Sequence, residues 1–257
     1  MDILSYNCKA WNQEVENGNP WTIPVSSETI AAARNGEWHL VLTPTRPVPQ
    51  EWYPEIKGRR VLCLASGGGQ QGPVLAAAGA IVTVFDNSPR QLDQDRFVAE
   101  RDNLEIDLQQ GDMADLSRFP DSSFELIFHP VSNLFIPDVH PVWREAFRVL
   151  KPGGVLLSGV INPVMYIFDL DLMDEQKELE VRYAIPFSDI HSLDPEKREQ
   201  FLARGWPVEF GHSLEDQIGG QLKAGFFITG FYEDIHPESE LSKYISTFIA
   251  TRAFKPG

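Results

Sequence analysis

The sequence is poor in cysteine and in long apolar runs, and each shortage excludes a class of protein. Its 257 residues include two cysteines, Cys8 and Cys63, too few for a disulfide framework or a cysteine-based zinc site. No stretch approaches the roughly 18 apolar residues that a membrane-spanning helix needs. The first residues also lack the charged start and apolar core of a secretory signal. We therefore expect a cytoplasmic protein that contains neither a metal site nor a membrane span.

Basic residues are also scarce relative to acidic ones. The chain has 22 Lys and Arg against 37 Asp and Glu, a formal net charge of -15, and its basic residues do not cluster. Such a field repels a phosphate backbone and an anionic membrane surface, so we expect neither nucleic acid nor membrane as a partner. A small-molecule partner is the remaining expectation.

Strand-like and helix-like segments alternate through the middle of the chain. Helices begin at typical start signals, such as Ser88 followed by Pro89, and alternation of this kind predicts parallel strands joined by helical crossovers. Two closing strands, 226–234 and 244–254, leave no room for a helix and predict an antiparallel hairpin at the sheet edge. The expected fold is α/β, with a doubly wound, Rossmann-like, mostly parallel sheet of seven strands and an antiparallel edge strand. Short apolar or β-branched runs mark the first five strands at 61–64, 81–85, 104–110, 124–130 and 155–160.

Two regions fall outside this alternation. Residues 1–58 are rich in tryptophan and proline, show little helical periodicity, and are predicted to form a cap or lid. The main domain is predicted at 59–257, with a charged insertion at about 161–212 that forms a second cap. After the insertion, Leu214, Ile218 and Leu222 fall in one row of a predicted helix.

The glycine-rich segment VLCLASGGGQQG follows the first strand and admits two interpretations. Gly67, Gly69 and Gly72 fit the G-x-G-x-x-G of a dinucleotide site. The segment from Ala65 to Gly69 fits the looser glycine turn of a methyl-donor site. In either case the glycines let a ligand lie against the backbone amides at a helix N-terminus.

Polar residues follow the next three strands, where ligands of open α/β sheets bind. Asp86 ends the second strand and is suited to accept both hydroxyl hydrogens of a ribose diol. Asp112 and Met113 follow the third strand, where a carboxylate accepts the adenine amine and a thioether packs on the ring. His129 follows the fourth strand and faces the expected position of the reacting groups. Each of these residues also has a structural interpretation, as a turn acid, a core methionine or a buried histidine.

Taken in order, these segments resemble the class I S-adenosylmethionine-dependent methyltransferases from about Val61 to Gly154. The segment EAFRVLKPGGVLLS carries the most specific part of the likeness, since dinucleotide folds do not usually have an LKPGG turn there. The resemblance implies S-adenosylmethionine as cofactor and in-line methyl transfer to a small-molecule acceptor that the sequence does not identify. It also implies a set of site residues. The cofactor set is Ala65, Ser66, Gly67, Gly69, Asp86, Asn87, Asp112, Met113, His129 and Val131.

Beyond the cofactor set, we expect His129 to act as general base if the acceptor must lose a proton. Tyr6, Trp11 and Trp21 are candidates for the lid, and the insertion around 166–187 for the opposite wall. Two departures from the family pattern stand in the first motif. Cys63 replaces the usual acid and Ala65 replaces the first glycine.

Two other functions remain open on the sequence alone. A nicotinamide-dependent oxidoreductase would use the same glycines and Asp86, although the chain has no Y-x-x-x-K pair. A non-catalytic S-adenosylmethionine-binding protein would explain the departures at Cys63 and Ala65.

Overall fold

The chain folds around one seven-stranded sheet, here described from a computed structural model of residues 1–257. Its strand order is β3-β2-β1-β4-β5-β9-β8, and β6 pairs with β7 in a separate two-stranded sheet. The strands are β1 (Arg60–Leu64), β2 (Ile81–Asp86), β3 (Ile106–Gln110), β4 (Phe124–His129), β5 (Leu150–Ile161), β6 (Phe187–Ser188), β7 (Phe210–Gly211), β8 (Phe227–Asp234) and β9 (Phe248–Phe254).

Strands β1 to β5 are parallel to one another, as the alternating pattern predicts. The antiparallel hairpin at the sheet edge is also confirmed. Its antiparallel strand, β9, pairs with β5 on one side and with the outermost strand β8 on the other. Strand β1 lies inside the sheet, between β2 and β4, and both of its faces pack against apolar side chains. Val61 and Cys63 enter the core on one face, and Leu62 and Leu64 enter the core on the other.

The chain contains eight α-helices. The helix start predicted at Ser88 and Pro89 is confirmed. Ser88 caps its helix by accepting a hydrogen bond from the Gln91 N–H at 3.1 Å. None of the helices is long and apolar enough to cross a membrane. The helices are α1 (Ile3–Asn17), α2 (Ser27–Arg34), α3 (Gln71–Ala77), α4 (Pro89–Asp102), α5 (His140–Val149), α6 (Leu170–Gln176), α7 (Pro195–Arg204) and α8 (Gly220–Ala224), and a π-helical segment (Glu215–Gly219) leads into α8.

Three local expectations differ from the structure. Residues 3–17 form a regular helix, α1, whose first turn is capped by the Asp2 carboxylate. The KPGG segment is the beginning of β5 rather than a free turn, because Gly153 and Gly154 exchange backbone hydrogen bonds with Lys255. In the helix after the insertion, Leu214 and Leu222 face solvent. Gln217 and Gln221 are buried there instead.

Candidate active site

A cavity of about 470 Å³ lies at the carboxyl ends of the parallel strands. Its floor comes from the segments that follow β1, β2, β3 and β4. Its cover comes from α1, the segment after α1, and the insertion after β5. This is the position at which ligands of open α/β sheets bind, because the reversal of strand order between β1 and β4 leaves a crevice there.

The loop after β1 is shaped to bring backbone, rather than side chains, to the cavity. Ala65 adopts φ +46°, and its N–H donates to the Phe85 carbonyl at 2.7 Å. Gly67 lies over Asp86 and Gln91, where a Cβ atom would come within 2.7 Å of the Gln91 Cβ. The Gly67 N–H donates to Asp86 Oδ2 at 2.9 Å. Of the predicted loop residues, Ala65, Ser66 and Gly67 therefore line the cavity.

Gly69 was predicted in the cofactor set, but the structure places it behind the loop and not in the cavity lining. Its φ is +73°, and a Cβ atom there would meet the Gln94 carbonyl at 2.8 Å. Gly69 is therefore needed for the path of the chain, and Gln70 and Gln71 take its place at the cavity wall.

Asp86 lies at the end of β2 and lines the cavity as predicted. Its two carboxylate oxygens accept hydrogen bonds from the Gly67 and Ser88 N–H groups, each at 2.9 Å. Burial raises the pKa of Asp86, while these two backbone donors oppose that change. The neighbouring Asn87 also lines the cavity and donates from its amide to the Leu4 carbonyl of α1 at 2.9 Å.

The segment after β3 places Asp112 and Met113 at the same cavity. Asp112 Oδ1 accepts the Ala114 N–H at 2.9 Å, which fixes the turn that presents the carboxylate. Gly111 is required before it, because a Cβ atom there would lie 2.2 Å from the Phe85 ring. The three predicted acceptor and packing groups Asp86, Asp112 and Met113 thus meet in one site.

The structure argues against the predicted roles of His129 as general base and as cofactor ligand. Its side chain is fully buried and does not line the cavity. Its Nδ1 lies 2.9 Å from the Leu64 carbonyl oxygen, and its Nε2 lies 2.7 Å from Asn133 Oδ1. Burial lowers the pKa of the ring while the contacts to Leu64 and Asn133 oppose that change, and the ring bridges β1 and the loop after β4. Val131, also predicted, does line the cavity.

Helix α1, part of the predicted lid, lines the cavity with one face. Leu4, Asn7, Trp11 and Glu14 recur every three or four residues along this face, the spacing of a helical stripe. Trp11 and, beyond the helix, Trp21 therefore line the cavity as predicted. Tyr6 does not: its side chain turns away from the cavity lining, and its hydroxyl is buried without a hydrogen-bond partner.

The lid is tied to the rest of the molecule by asparagine side chains. Asn7 donates to the Phe135 and Val208 carbonyls at 2.8 and 3.0 Å and accepts the Val208 N–H at 2.8 Å. Asn12 accepts the Ser88 hydroxyl at the start of α4 at 2.8 Å. The lid is thus joined both to the insertion and to the helix that follows Asp86.

Several lining residues escaped sequence reasoning. The opposite wall comes from Phe201, Trp206, Pro207 and Glu209 rather than from the predicted 166–187 stretch. Residues 41–44, His236 and Phe248 also line the cavity. No local pattern marks these residues, whereas the α1 stripe could have been found from its spacing of three and four.

A buried acid under the glycine loop was also missed. Asp95 on α4 is fully buried, and its Oδ2 accepts the Gly68 N–H at 3.0 Å. Burial raises the pKa of Asp95 to about 8, and the nearby Asp86 adds to that increase. Cys63, at the position of the family's acid, is fully buried in β1 and does not line the cavity. The loop amides are therefore held by two acids, Asp86 at Gly67 and Asp95 at Gly68, and not by residue 63.

Comparison with known proteins places this site in a family. Residues 62–158 match the family described as a methyltransferase domain. The chain is 53% identical over 253 residues to the uncharacterized methyltransferase YbaJ of Bacillus subtilis, an alignment that covers 98% of each chain. It is also 27% identical to the ubiquinone biosynthesis O-methyltransferase of Xanthomonas euvesicatoria, over 64% of this chain and 67% of that one.

Solved structures agree on the fold. An S-adenosylmethionine-dependent methyltransferase from Mesorhizobium loti superposes with a TM-score of 0.60 at 18% identity, covering 80% of this chain and 95% of that one. A putative one from Listeria monocytogenes gives a TM-score of 0.59 at 18% identity, covering 88% of this chain and 100% of that one. With the near full-length relative and the ordered motifs, the chain belongs to the class I S-adenosylmethionine-dependent methyltransferase family.

Proposed function

We propose that this protein binds S-adenosylmethionine in the cavity and transfers its methyl group to a small-molecule acceptor. The observation that carries the proposal is the meeting of Asp86, Asp112 and the glycine loop at one cavity. Two carboxylates at neighbouring strand ends and a bare backbone turn suit a ribose diol, an adenine amine and the amino-acid end of the cofactor. A volume of about 470 Å³ is within the range of small-molecule sites.

The residues present fit this cofactor on chemical grounds. Asp86 would accept the ribose hydroxyls, Asp112 would accept the adenine amine, and Met113 would pack against the ring. The backbone of Ala65, Ser66 and Gly67 would lie along the cofactor. Small residues are needed there, since the loop is already in contact with Asp86 and Gln91.

When bound, S-adenosylmethionine would supply the methyl group of its sulfonium to an acceptor, with the thioether of S-adenosylhomocysteine as the leaving group. The protein's contribution is positioning and the exclusion of water. The cavity would be closed from above by Trp21 and by the face of α1 that carries Trp11. Asn7 joins this cover to the insertion and to the loop after β4. Such a cover keeps the acceptor oriented and reduces competing hydrolysis.

Calorimetric titration tests the proposal, with S-adenosylmethionine, S-adenosylhomocysteine and NADH added separately to the purified protein. We expect the two adenosyl ligands to bind with dissociation constants on the order of micromolar and NADH to give no heat. Binding of NADH alone would restore the oxidoreductase interpretation of Gly67, Gly69 and Gly72.

A second candidate function is binding of the cofactor without catalysis, favoured by Cys63 and Ala65 in the first motif. The two functions differ in turnover. Incubation with S-adenosylmethionine and a panel of acceptors, followed by measurement of S-adenosylhomocysteine, supports the enzyme if product forms in amounts above the protein concentration. Tight binding with no product from any acceptor would support the second candidate.

A further inference from the structure

The insertion brings one carboxylate, Glu209, to the wall of the cavity. Glu209 precedes β7 and lines the cavity, and its Oε2 accepts the Tyr166 hydroxyl at 2.7 Å. The Tyr166 ring is itself buried, with Phe187 stacked on it. A glycine is needed at position 211, because a Cβ atom on Gly211 would come within 2.6 Å of the Tyr166 ring. The packing therefore holds Tyr166, and through it the Glu209 carboxylate, in one orientation.

No cation faces this carboxylate. The ionisable groups around it are Asp189, which accepts the Glu209 N–H at 2.7 Å, Tyr166 and, further away, Asp174, while Tyr6 faces Asp189. Burial and the neighbouring Asp189 raise the pKa of Glu209 to about 7. The insertion does contain basic residues, but they pair elsewhere. Lys197 and Arg182 contact Asp169, and Arg204 contacts Asp171 while its guanidinium also lies over the Trp206 ring, 4.7 Å from the centroid.

Keeping a half-buried carboxylate ionised without a cation costs free energy, and a cationic ligand would reduce that cost. The cavity lining contains no Lys or Arg at all. Its other acids have partners or proposed roles: Asp86 and Asp112 face the adenosine, and Glu14 accepts the Asn19 amide at 2.6 Å. Glu209, whose side-chain partner is the neutral Tyr166 hydroxyl, is the acid that the insertion contributes to the lining.

Apolar and aromatic side chains line the same cavity as Glu209. Trp206 and Phe201 come from the same insertion, and Trp11 and Phe135 meet edge to face with ring centroids 5.1 Å apart. The insertion packs on the loop after β4, because His212 Nε2 contacts the Asn133 and Ile136 carbonyls. Because β4 and the pair β2–β3 flank opposite sides of β1, that loop follows a strand on the other side of β1 from the strands that carry Asp86 and Asp112.

We propose that the methyl acceptor is an apolar amine whose ammonium group pairs with the Glu209 carboxylate, while aromatic side chains cover its body. The carboxylate would take one proton from the ammonium, and the freed nitrogen lone pair would form the new N–C bond as the C–S bond of the sulfonium breaks and S-adenosylhomocysteine leaves. This assignment rests on the proposed function, because it takes the Asp86 side of the cavity to be occupied by the cofactor. Tyr166 is a positioning residue that orients the carboxylate. Aromatic faces add to the attraction for a cation, and the absence of basic residues disfavours acidic acceptors.

The test uses protein saturated with S-adenosylhomocysteine and three probes of one shape: 2-phenylethylamine, 2-phenylethanol and phenylacetate. We expect calorimetry at about pH 8 to show the amine binding at least tenfold more tightly than the alcohol, with no binding of the acid. Glu209→Gln should abolish the preference for the amine and leave the affinity for S-adenosylhomocysteine unchanged. Glu199→Gln, which removes an exposed acid of α7, is the matched control and should keep the preference.

A second measurement does not depend on the variant. In the wild-type protein the amine preference should fall severalfold between about pH 8 and pH 5.5, where Glu209 and the adjacent Asp189, whose pKa burial raises to about 7, take up protons and the amine stays charged. Equal binding of amine and alcohol, or of neither, at pH 8 would overturn the proposal, as would a preference that survives Glu209→Gln. A tenfold loss of S-adenosylhomocysteine affinity in Glu209→Gln would assign the carboxylate to the cofactor instead. Failure of the wild-type protein to bind S-adenosylhomocysteine would refute the proposed function itself.

Discussion

Replacing Asp86 by asparagine probes the proposed cofactor site with little change of shape. The carboxylate lines the cavity while accepting the Gly67 and Ser88 N–H groups, each at 2.9 Å. An asparagine keeps one acceptor oxygen and turns its amide toward the other N–H. The substitution therefore weakens two things, the anchoring of the loop and the binding of the ribose diol.

The two effects have different sizes. One lost backbone contact costs about 1–2 kcal/mol of folding stability, partly offset because a buried charge is removed. Loss of one charge-assisted bond to the ribose costs about 2 kcal/mol of binding free energy, a dissociation constant about 30-fold higher. The expected variant is thus folded, slightly less stable, and much weaker in binding.

Calorimetric titration with S-adenosylhomocysteine measures the binding term, and a urea unfolding curve measures the stability term. Asp93→Asn is the matched control, since that carboxylate pairs with Arg96 on the outer surface of α4. A folded Asp86→Asn protein whose affinity stays within threefold of the wild type would refute the ribose role of Asp86.

Three further substitutions test other parts of the structure. In Asp95→Asn the pH dependence of stability should weaken. In the folded protein the Asp95 carboxyl keeps its proton up to a pKa of about 8, whereas in the unfolded chain it loses the proton near 3.8. The free energy of unfolding of the wild type therefore falls as the pH rises from about 3.8 to about 8. Urea curves at pH 5 and pH 8 should favour the variant at pH 8 by at least about 1 kcal/mol, and parallel behaviour would argue against a buried neutral Asp95. Arg148→Lys should cost about 1–3 kcal/mol of unfolding free energy, because the guanidinium joins Glu145, Asp121 and two backbone carbonyls, and an unchanged urea midpoint would contradict this. Asn7→Ala should lower the stability by about 2–3 kcal/mol by freeing the Val208 N–H and two carbonyls, and it should also weaken S-adenosylhomocysteine binding if the lid closes the site. Intact binding in that variant would separate the lid from cofactor affinity.

The LKPGG segment shows why a motif that identifies a family need not be a site. Arg148 just before it fixes the loop between β3 and β4, and Lys151 pairs with Glu125. Gly154 is bare where a Cβ atom would lie 2.8 Å from the Lys151 carbonyl. These residues resemble the methyltransferase motif because they fix loops and the start of β5. None of them lines the cavity.

The sequence by itself determined the parts of this protein that depend on local pattern. Apolar runs of strand length, the Ser88 helix start and the order of Gly67, Asp86 and Asp112 at successive strand ends predicted the sheet and one side of the cavity. They could do so because parallel strands bring their carboxyl ends to one edge, so that position along the chain translates directly into position in space.

Only the tertiary structure decided which groups face the cavity from outside the sheet. His129 ends its strand, close to where the pattern predicts it, yet its side chain contacts the Leu64 carbonyl and does not line the cavity. Asp95 lies on helix α4, and Glu209 lies in the charged insertion. Their pKa values are raised mainly by burial, which depends on segments distant in sequence. Side-chain direction and desolvation are set by packing between such segments, and no local spacing encodes them.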